Sequence, residues 1–247
     1  MFDKSGLNID DLNIYSKYDP DNMLKHLHSF RDLCGRAWEM ALKFKLPQNY
    51  SDINKIVILG MGGSAIGGDL VSSLAVAESR VPILLCRDYN LPNYVDVNTL
   101  VIASSYSGMT EETLSAFDQA LKTPAKILAI TTGGKLKILC EKKGIPIISF
   151  DYEAQPRAAL PFSFFIILGL FQKLKIVKNK AKLVNEALSS LQILGAKINE
   201  EIPLAQNLAK ELAIKLYGHL VVVYGAGITS EAAHRWKTQI KARIPMQ

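Results

Sequence analysis

Five short runs of consecutive apolar residues most constrain how this 247-residue chain can fold. They occupy residues 56–59, 82–86, 100–103, 127–130 and 145–148. A strand with one face in water alternates apolar and polar residues, whereas a strand buried on both faces is apolar throughout. Segments with a helical pattern separate most of the runs, so the sequence predicts an α/β fold with a parallel sheet, which we place at residues 50–152.

Helices are predicted on both sides of the apolar runs. Residues 64–78, 110–121 and 135–143 follow the first, third and fourth runs. Residues 1–49 read as an N-terminal helical segment, in which Asp21 and Asn22 could cap a helix. The apolar face of that helix would carry Leu24, Leu27, Phe30, Leu33, Ala37 and Met40. Residues 153–215 read as a helical connection, and its apolar stretch 158–171 as a buried helix.

The C-terminal part repeats the start of the sheet pattern. Residues 220–224 are apolar and predict a strand, 225–227 a turn, and 229–240 a helix. This order matches residues 56–64 as a weak internal repeat. We therefore expect residues 216–247 to begin a second α/β domain that is incomplete, because one strand and one helix cannot enclose a core.

Composition excludes several classes of protein. With 49% hydrophobic and 21% charged residues, the chain has enough apolar material for a packed core. The 14-residue stretch 158–171 is shorter than the about 20 residues that cross a bilayer, so we expect no membrane span. The three cysteines form no CxxC pair, which indicates a reduced cytoplasmic protein without a structural metal. The polar N-terminus predicts no signal peptide.

The positive charge is concentrated in the C-terminal part of the chain. Residues 1–171 carry 17 basic and 18 acidic side chains, and residues 172–247 carry 12 and 5. The basic cluster holds no interleaved aromatic residue and is typical of a solvated helix face; its members are Lys173, Lys175, Lys178, Lys180 and Lys182. We therefore expect no nucleic-acid partner.

A glycine-rich segment, residues 60–69, connects the first strand to its helix. Small residues there let a ligand approach the backbone, and the helix N-terminus offers free N–H groups to an anion. Gly60, Gly62 and Ala65 fit the dinucleotide fingerprint, with Asp88 as a possible ribose acceptor. The alternative ligand is a terminal phosphate held by N–H groups and by hydroxyls such as that of Ser64.

A second loop, residues 104–110, favours the phosphate. It follows the third strand, opens a helix, and carries several hydroxyl groups around Gly108. Loops at the carboxyl ends of neighbouring parallel strands meet at one edge of the sheet. The sequence therefore predicts a phosphate site formed by both loops; its residues are Gly62, Gly63, Ser64, Ser105, Ser107 and Thr110.

Four motifs resemble one known family. Gly62-Gly63-Ser64 follows a strand, and residues 105–113 read Ser-Tyr-Ser-Gly-Met-Thr-Glu-Glu-Thr after a later one. Residues 156–159 read Pro-Arg-Ala-Ala, and residues 235–239 read Arg-Trp-Lys-Thr-Gln. Over residues 20–240 the chain resembles the sugar isomerase (SIS) domain, and more narrowly the bifunctional phosphoglucose/phosphomannose isomerases.

The resemblance implies a three-layer, flavodoxin-like SIS fold and a specific chemistry. It implies isomerisation of glucose 6-phosphate or mannose 6-phosphate to fructose 6-phosphate through an enediolate, without metal or organic cofactor. The phosphate would be held by Ser64, Ser105, Ser107 and Thr110, and Arg157 would stabilise the enediolate. The family also implies a homodimer. Which hexose phosphate is preferred is left open.

The chain departs from the family at its end. An Asn-Glu motif carrying the proton-transferring glutamate is expected after Gln239-Ile240, but the sequence continues Lys-Ala-Arg-Ile-Pro-Met-Gln. The family's catalytic histidine and lysine would lie further on, so we expect a truncated chain. Glu231 and His234 share a helix face nearby and are interpreted as a surface pair. Two alternatives remain: a phosphosugar-binding module without catalysis, and a nicotinamide-dependent oxidoreductase based on the Gly60 fingerprint.

Overall fold

The structure is a computed structural model that describes residues 8–50 and 52–241, without the side chain of Lys241. Its strands are β1 (Lys55–Leu59), β2 (Ile83–Cys86), β3 (Thr99–Ser104), β4 (Lys126–Thr131) and β5 (Ile147–Ser149). Its helices are α1 (Asn13–Tyr18), α2 (Met23–His28), α3 (Phe30–Lys43), α4 (Gly62–Ala75), α5 (Glu111–Ala120), α6 (Gly134–Lys143), α7 (Leu160–Lys173), α8 (Ala181–Ile198), α9 (Leu208–Leu216) and α10 (Ser230–Lys241).

The five strands form one parallel sheet in the order β2-β1-β3-β4-β5. Every apolar run of the first 150 residues became a strand, which confirms the predicted α/β fold. Pro82 and Pro146 immediately precede β2 and β5, which are the two edge strands. Proline cannot donate to a sheet, so its place is at the start of a strand or on an edge.

Successive residues of each strand enter two separate cores. Ile56 and Ile58 point to the core formed with α3, α4 and α7, whereas Val57 and Leu59 point to the core formed with α5 and α6. All six residues of β3 are buried. The continuous apolar runs therefore reflect two covered faces, and the architecture is three-layered as predicted.

Helix α7 is apolar on all sides because it is enclosed by α3, α4 and the sheet. Small residues allow this close approach. A Cβ added to Gly67 of α4 would lie 2.6 Å from the backbone carbon of Ser163, and one added to Gly169 would lie 2.5 Å from Cβ of Ala41. Within the described part of the chain, no helix is long and apolar enough for a membrane span.

The N-terminal helix differs from the prediction in two ways. It is divided at Ser29 into α2 and α3, and Leu27 is 58% exposed instead of facing the core. The capping carboxylate is that of Asp19, which accepts hydrogen bonds of 2.8 Å from the N–H groups of Met23 and Leu24. Asn22 has a φ of 52°, a left-handed conformation without a side-chain cap bond, so neither Asp21 nor Asn22 caps the helix.

The predicted strand at residues 220–224 is wrong. The segment forms no strand, and Leu220 and Tyr224 are 93% and 91% exposed. An apolar β-prone run becomes a strand only when a neighbouring strand takes up its backbone hydrogen bonds, and the sheet offers none here. The division of the chain at residues 49, 152 and 215 remains a prediction, although α3 and α7 pack on the sheet from outside the range 50–152.

We expect Gly67→Ala to destabilise the protein by about 1–3 kcal/mol, because its methyl group would overpack the contact between α4 and α7. Gly195→Ala is the matched control, since Gly195 lies in α8 with open space around its added Cβ. That variant should be about 0.5–1 kcal/mol more stable than the wild type. Urea unfolding measures both values, and equal stability of the two variants would contradict the packing argument.

Candidate active site at the switch between β1 and β3

The chain moves across the sheet in opposite directions after β1 and after β2. From β1 it proceeds to β2 on one side, and β3 then pairs with β1 on the other side. The connections after β1 and β3 therefore diverge above the carboxyl ends of the strands. Such a topological switch point leaves a crevice in which open α/β sheets bind their ligands.

The glycine loop, residues 60–64, forms one wall of this crevice. Gly62 opens α4 with a φ of +47°, which a residue with a side chain adopts only with strain. Ser64 and Ala65 are the first residues whose N–H groups bind back to the carbonyl of Met61. The N–H groups of Gly62 and Gly63 precede them and have no intrahelical acceptor, so this end of α4 can receive an anion.

The serine loop, residues 105–110, forms the other wall. The Ser105 hydroxyl lies 3.1 Å from the Thr110 hydroxyl and accepts a 3.1 Å bond from the N–H of Gly108. The Ser107 hydroxyl accepts a 3.2 Å bond from the N–H of Met109. Ser105 is buried and Ser107 is exposed. These hydroxyls shape the turn, and α5 begins directly after Thr110.

The two loops touch each other. The N–H of Tyr106 donates a 3.1 Å hydrogen bond to Oγ of Ser64, although 42 residues separate them in sequence. All six residues predicted to hold phosphate therefore lie on adjoining loops at one edge of the sheet. Their binding of phosphate stays a prediction.

A third loop supports the serine loop from the side of β4. Gly108 has a φ of +63°, and a Cβ there would lie 2.8 Å from the carbonyl carbon of Gly133. The carbonyl of Gly108 also accepts a 2.9 Å bond from the N–H of Leu136 in α6. The glycine at position 108 is therefore required by a close backbone contact as well as by its conformation.

Arg157 lies beside the glycine loop. It belongs to a short 3₁₀-helix, Pro156–Ala159, and a Cβ added to Gly63 would lie 3.0 Å from the carbonyl oxygen of Pro156 and 3.9 Å from Cα of Arg157. Nε of Arg157 is buried and has no hydrogen-bond partner among the residues that the structure describes. A buried charged donor without an acceptor is costly, and an anionic ligand would satisfy it.

Arg235 is a site residue that the sequence analysis did not assign. It projects from α10, and its Nη2 donates a 2.6 Å hydrogen bond to the backbone carbonyl of Arg157. Burial, and then the nearby charge of Arg157, lower the pKa of Arg235. The Gln239 amide is oriented so that its oxygen faces the Arg235 guanidinium. That oxygen accepts a 3.0 Å hydrogen bond from Nη1 of Arg235. In the sequence, the motif Arg-Trp-Lys-Thr-Gln at residues 235–239 points to Arg235 as a family residue, but it does not reveal the contact with Arg157.

A hydrogen-bonded pair, Tyr152 and His26, holds the segment before Arg157. The Tyr152 hydroxyl lies 2.9 Å from Nδ1 of His26, which is part of α2. Burial, and then Tyr106, raise the pKa of Tyr152 to about 12, so this phenol stays protonated near neutral pH and can donate to the imidazole. Three residues further along, Gln155 donates to the carboxylate of Asp21.

Glu231 and His234 do more than form a surface pair. A carboxylate oxygen of Glu231, a ring nitrogen of His234 and a carboxylate oxygen of Asp69 on α4 lie within 4.8 Å of one another, a spacing at which they could together bind a metal ion. Asp69 is already ion-paired with Arg87, and burial raises its pKa. Since Arg87 occupies Asp69, we interpret the cluster as a polar contact between α10 and α4.

Asp88, the possible ribose acceptor of the dinucleotide alternative, has a local role. It is exposed, and its carboxylate accepts hydrogen bonds from the backbone and side-chain N–H groups of Asn90 at 3.1 and 3.3 Å. This is the arrangement of a turn in which an aspartate binds its own chain two residues on. The carboxylate therefore has an explanation that needs no ribose.

Comparison with known proteins finds the relatives that this geometry suggests. Residues 205–243 match the model of the bacterial phospho-glucose isomerase C-terminal SIS domain. The bifunctional phosphoglucose/phosphomannose isomerase of Caldicellulosiruptor bescii is 44% identical over 219 residues, which cover 88% of this chain and 65% of the relative. The protein of the same name from Thermoplasma acidophilum is 37% identical over 186 residues, covering 75% of this chain and 54% of the relative.

A solved structure supports the fold. The C-terminal domain of glucosamine-fructose-6-phosphate aminotransferase from Francisella tularensis superimposes with a TM-score of 0.58 at 15% identity, covering 89% of this chain and 66% of that one. The chain spans about two thirds of the length of the first relative and about half that of the second. The resemblance predicted from the sequence is thus confirmed: this chain is a homologue of the bifunctional phosphoglucose/phosphomannose isomerases, built on the SIS fold.

Proposed function

We propose that this protein catalyses the aldose–ketose isomerisation of hexose 6-phosphates, with glucose 6-phosphate or mannose 6-phosphate giving fructose 6-phosphate. The single observation that carries the proposal is the junction of the glycine and serine loops at the switch point, with Ser64 and Tyr106 in contact and Arg157 beside them. The names of the curated relatives support the same reaction.

The phosphate of the substrate would bind between the two loops. The N-terminus of α5 and the hydroxyls of Ser105, Ser107 and Thr110 offer short donors on one side. Ser64, Gly62 and Gly63 complete the cradle from the N-terminus of α4. Two helix N-termini directed at one dianion stabilise it by their N–H groups and their dipoles.

Arg157 would act on the other end of the substrate. Removal of the C2 proton leaves an enediolate, whose negative charge needs a fixed positive partner. Arg157 fits this role because, within residues 8–50 and 52–241, its buried Nε has no acceptor, and because Arg235 holds its backbone carbonyl. By resemblance, the family's proton-transferring glutamate would follow Ile240. In the described part of α10, the titratable side chains of Glu231 and His234 lie near Asp69.

We further propose that the protein is a cytoplasmic homodimer and that residues 216–247 begin a second SIS-like domain. The family-model match over residues 205–243 supports the second domain. The three cysteines are free and buried, which fits a reducing compartment. Light scattering tests the assembly, and a monomer at micromolar concentration would contradict the dimer.

The assay that tests the function incubates the full chain with glucose 6-phosphate or mannose 6-phosphate and detects fructose 6-phosphate by NMR. Turnover of either substrate supports the proposal. Binding of the sugar phosphate without turnover would establish instead the phosphosugar-binding module. Absence of both binding and turnover would contradict the proposal.

We expect Thr110→Ala and Ser105→Ala each to weaken binding of glucose 6-phosphate by about 0.5–1.5 kcal/mol or more, because each removes a hydroxyl from the cradle. Thr123→Ala is the matched control, since Thr123 follows the opposite end of α5 and its hydroxyl binds the nearby backbone, donating to the carbonyl of Ala120 and accepting from the N–H of Ala125. Titration calorimetry measures all three. Equal affinity in all variants would remove the phosphate assignment.

We expect Arg157→Ala to lower kcat by about 10²–10³-fold, because it removes a charge needed chiefly in the transition state. Affinity for inorganic phosphate, which contacts the cradle alone, should change little. Lys237→Ala removes the same charge from the exposed face of α10 and should leave kcat unchanged. A loss of phosphate affinity with an unchanged kcat in Arg157→Ala would place Arg157 in the cradle.

A further inference from the structure

Tyr106 occupies the centre of the site but has no role in the reaction described so far. Its backbone belongs to the serine loop and joins two neighbouring loops. The N–H donates to Ser64 at 3.1 Å, and the carbonyl accepts from the N–H and hydroxyl of Thr132 at 3.1 and 2.7 Å. The backbone of Tyr106 is therefore fixed relative to the glycine loop and to β4.

The side chain of Tyr106 extends to the segment that carries Arg157, residues 152–157, which we term the arginine strap. The Tyr106 hydroxyl lies 2.7 Å from the carbonyl oxygen of Ala154, 2.9 Å from the carbonyl oxygen of Tyr152 and 2.8 Å from the backbone nitrogen of Ala154. A phenol has one proton to donate and lone pairs to accept with. The Tyr106 hydroxyl can thus donate to one of the two carbonyls and accept from the N–H, so its donor proton and an acceptor lone pair are both engaged by the strap.

The other anchors of the strap come from different directions. Gln155 and Tyr152 bind Asp21 and His26 of the N-terminal helical region, and Arg157 is held by Arg235 of α10. Tyr106 is the anchor that originates in the serine loop. A change in that loop therefore reaches the strap through one rigid aromatic side chain.

We propose that Tyr106 is a positioning residue that couples the phosphate cradle to Arg157. Binding of the phosphate further stabilises the serine loop, and the Tyr106 hydroxyl transmits that stabilisation to the arginine strap, which it holds at the position that the enediolate requires. The proposal rests on the proposed function. Its physical basis is that binding energy from a non-reacting part of a substrate can be used to orient the reacting part.

Tyr106→Phe tests the coupling, because it keeps the aromatic ring and removes the three hydroxyl contacts. In hydrogen-exchange mass spectrometry, peptides of the arginine strap should exchange about tenfold faster in the variant, since the N–H of Ala154 loses its acceptor. Inorganic phosphate should slow exchange of both the serine loop and the strap in the wild type. In the variant it should slow the serine loop alone.

Tyr50→Phe is the matched control. Tyr50 is buried, and its hydroxyl, like that of Tyr106, binds a backbone carbonyl: it donates a 2.6 Å bond to that of Ile127 near the start of β4. That bond lies at the opposite end of the strand from the site. The control should lose stability without altering exchange in the strap.

Activity gives a second readout. Tyr106→Phe should lower kcat about ten- to a hundredfold, as a small misplacement of a catalytic group does, while KM for the hexose phosphate stays within about twofold. In an Arg157→Lys background the same change should have little further effect, because Tyr106 acts through Arg157.

Three results would overturn the proposal: unchanged exchange in the strap, protection of the strap by phosphate in Tyr106→Phe, or a full additional loss of kcat in the Arg157→Lys background. The exchange measurement is independent of turnover. If the wild type proves inactive, the proposed function fails, and strap exchange still decides whether Tyr106 transmits phosphate binding.

Discussion

The parallel pairing of β1 with β3 is the constraint on which the rest of the structure depends. It brings the carboxyl ends of two strands side by side while their following helices diverge to opposite faces of the sheet. The glycine loop and the serine loop meet because their strands are neighbours, and the bond between Ser64 and Tyr106 forms at their junction.

Close packing of small residues brings the remaining part of the site into place. Gly67 and Gly169 let α7 approach α4 and α3, and the arginine strap ends two residues before α7 begins. Gly63 then admits the carbonyl of Pro156 against the N-terminus of α4. The position of Arg157 is therefore a consequence of helix packing in the core, combined with polar anchors from Tyr106, Asp21, His26 and Arg235.

Local and long-range information differ in how well they can be read from this chain. The continuous apolar runs and the glycines and hydroxyl residues at the strand ends are local signals, and they predicted the sheet and both loops. The run at 220–224 carries the same local signal and forms no strand, because strand formation also needs a partner. The cap at Asp19 was missed since the left-handed conformation of Asn22 is not visible in the residue pattern.

By itself the sequence determined the α/β class, the three-layer arrangement, the two loops that follow β1 and β3, and the resemblance to phosphosugar isomerases. These properties depend on hydrophobic periodicity and on residue types at neighbouring positions, which are written in the order of the chain. Tertiary structure alone decided that Tyr106 contacts Ser64 and the arginine strap, and that Arg235 binds the carbonyl of Arg157. Those contacts join groups between 42 and 78 residues apart, and only the packing of the helices on the sheet brings such groups within hydrogen-bonding distance.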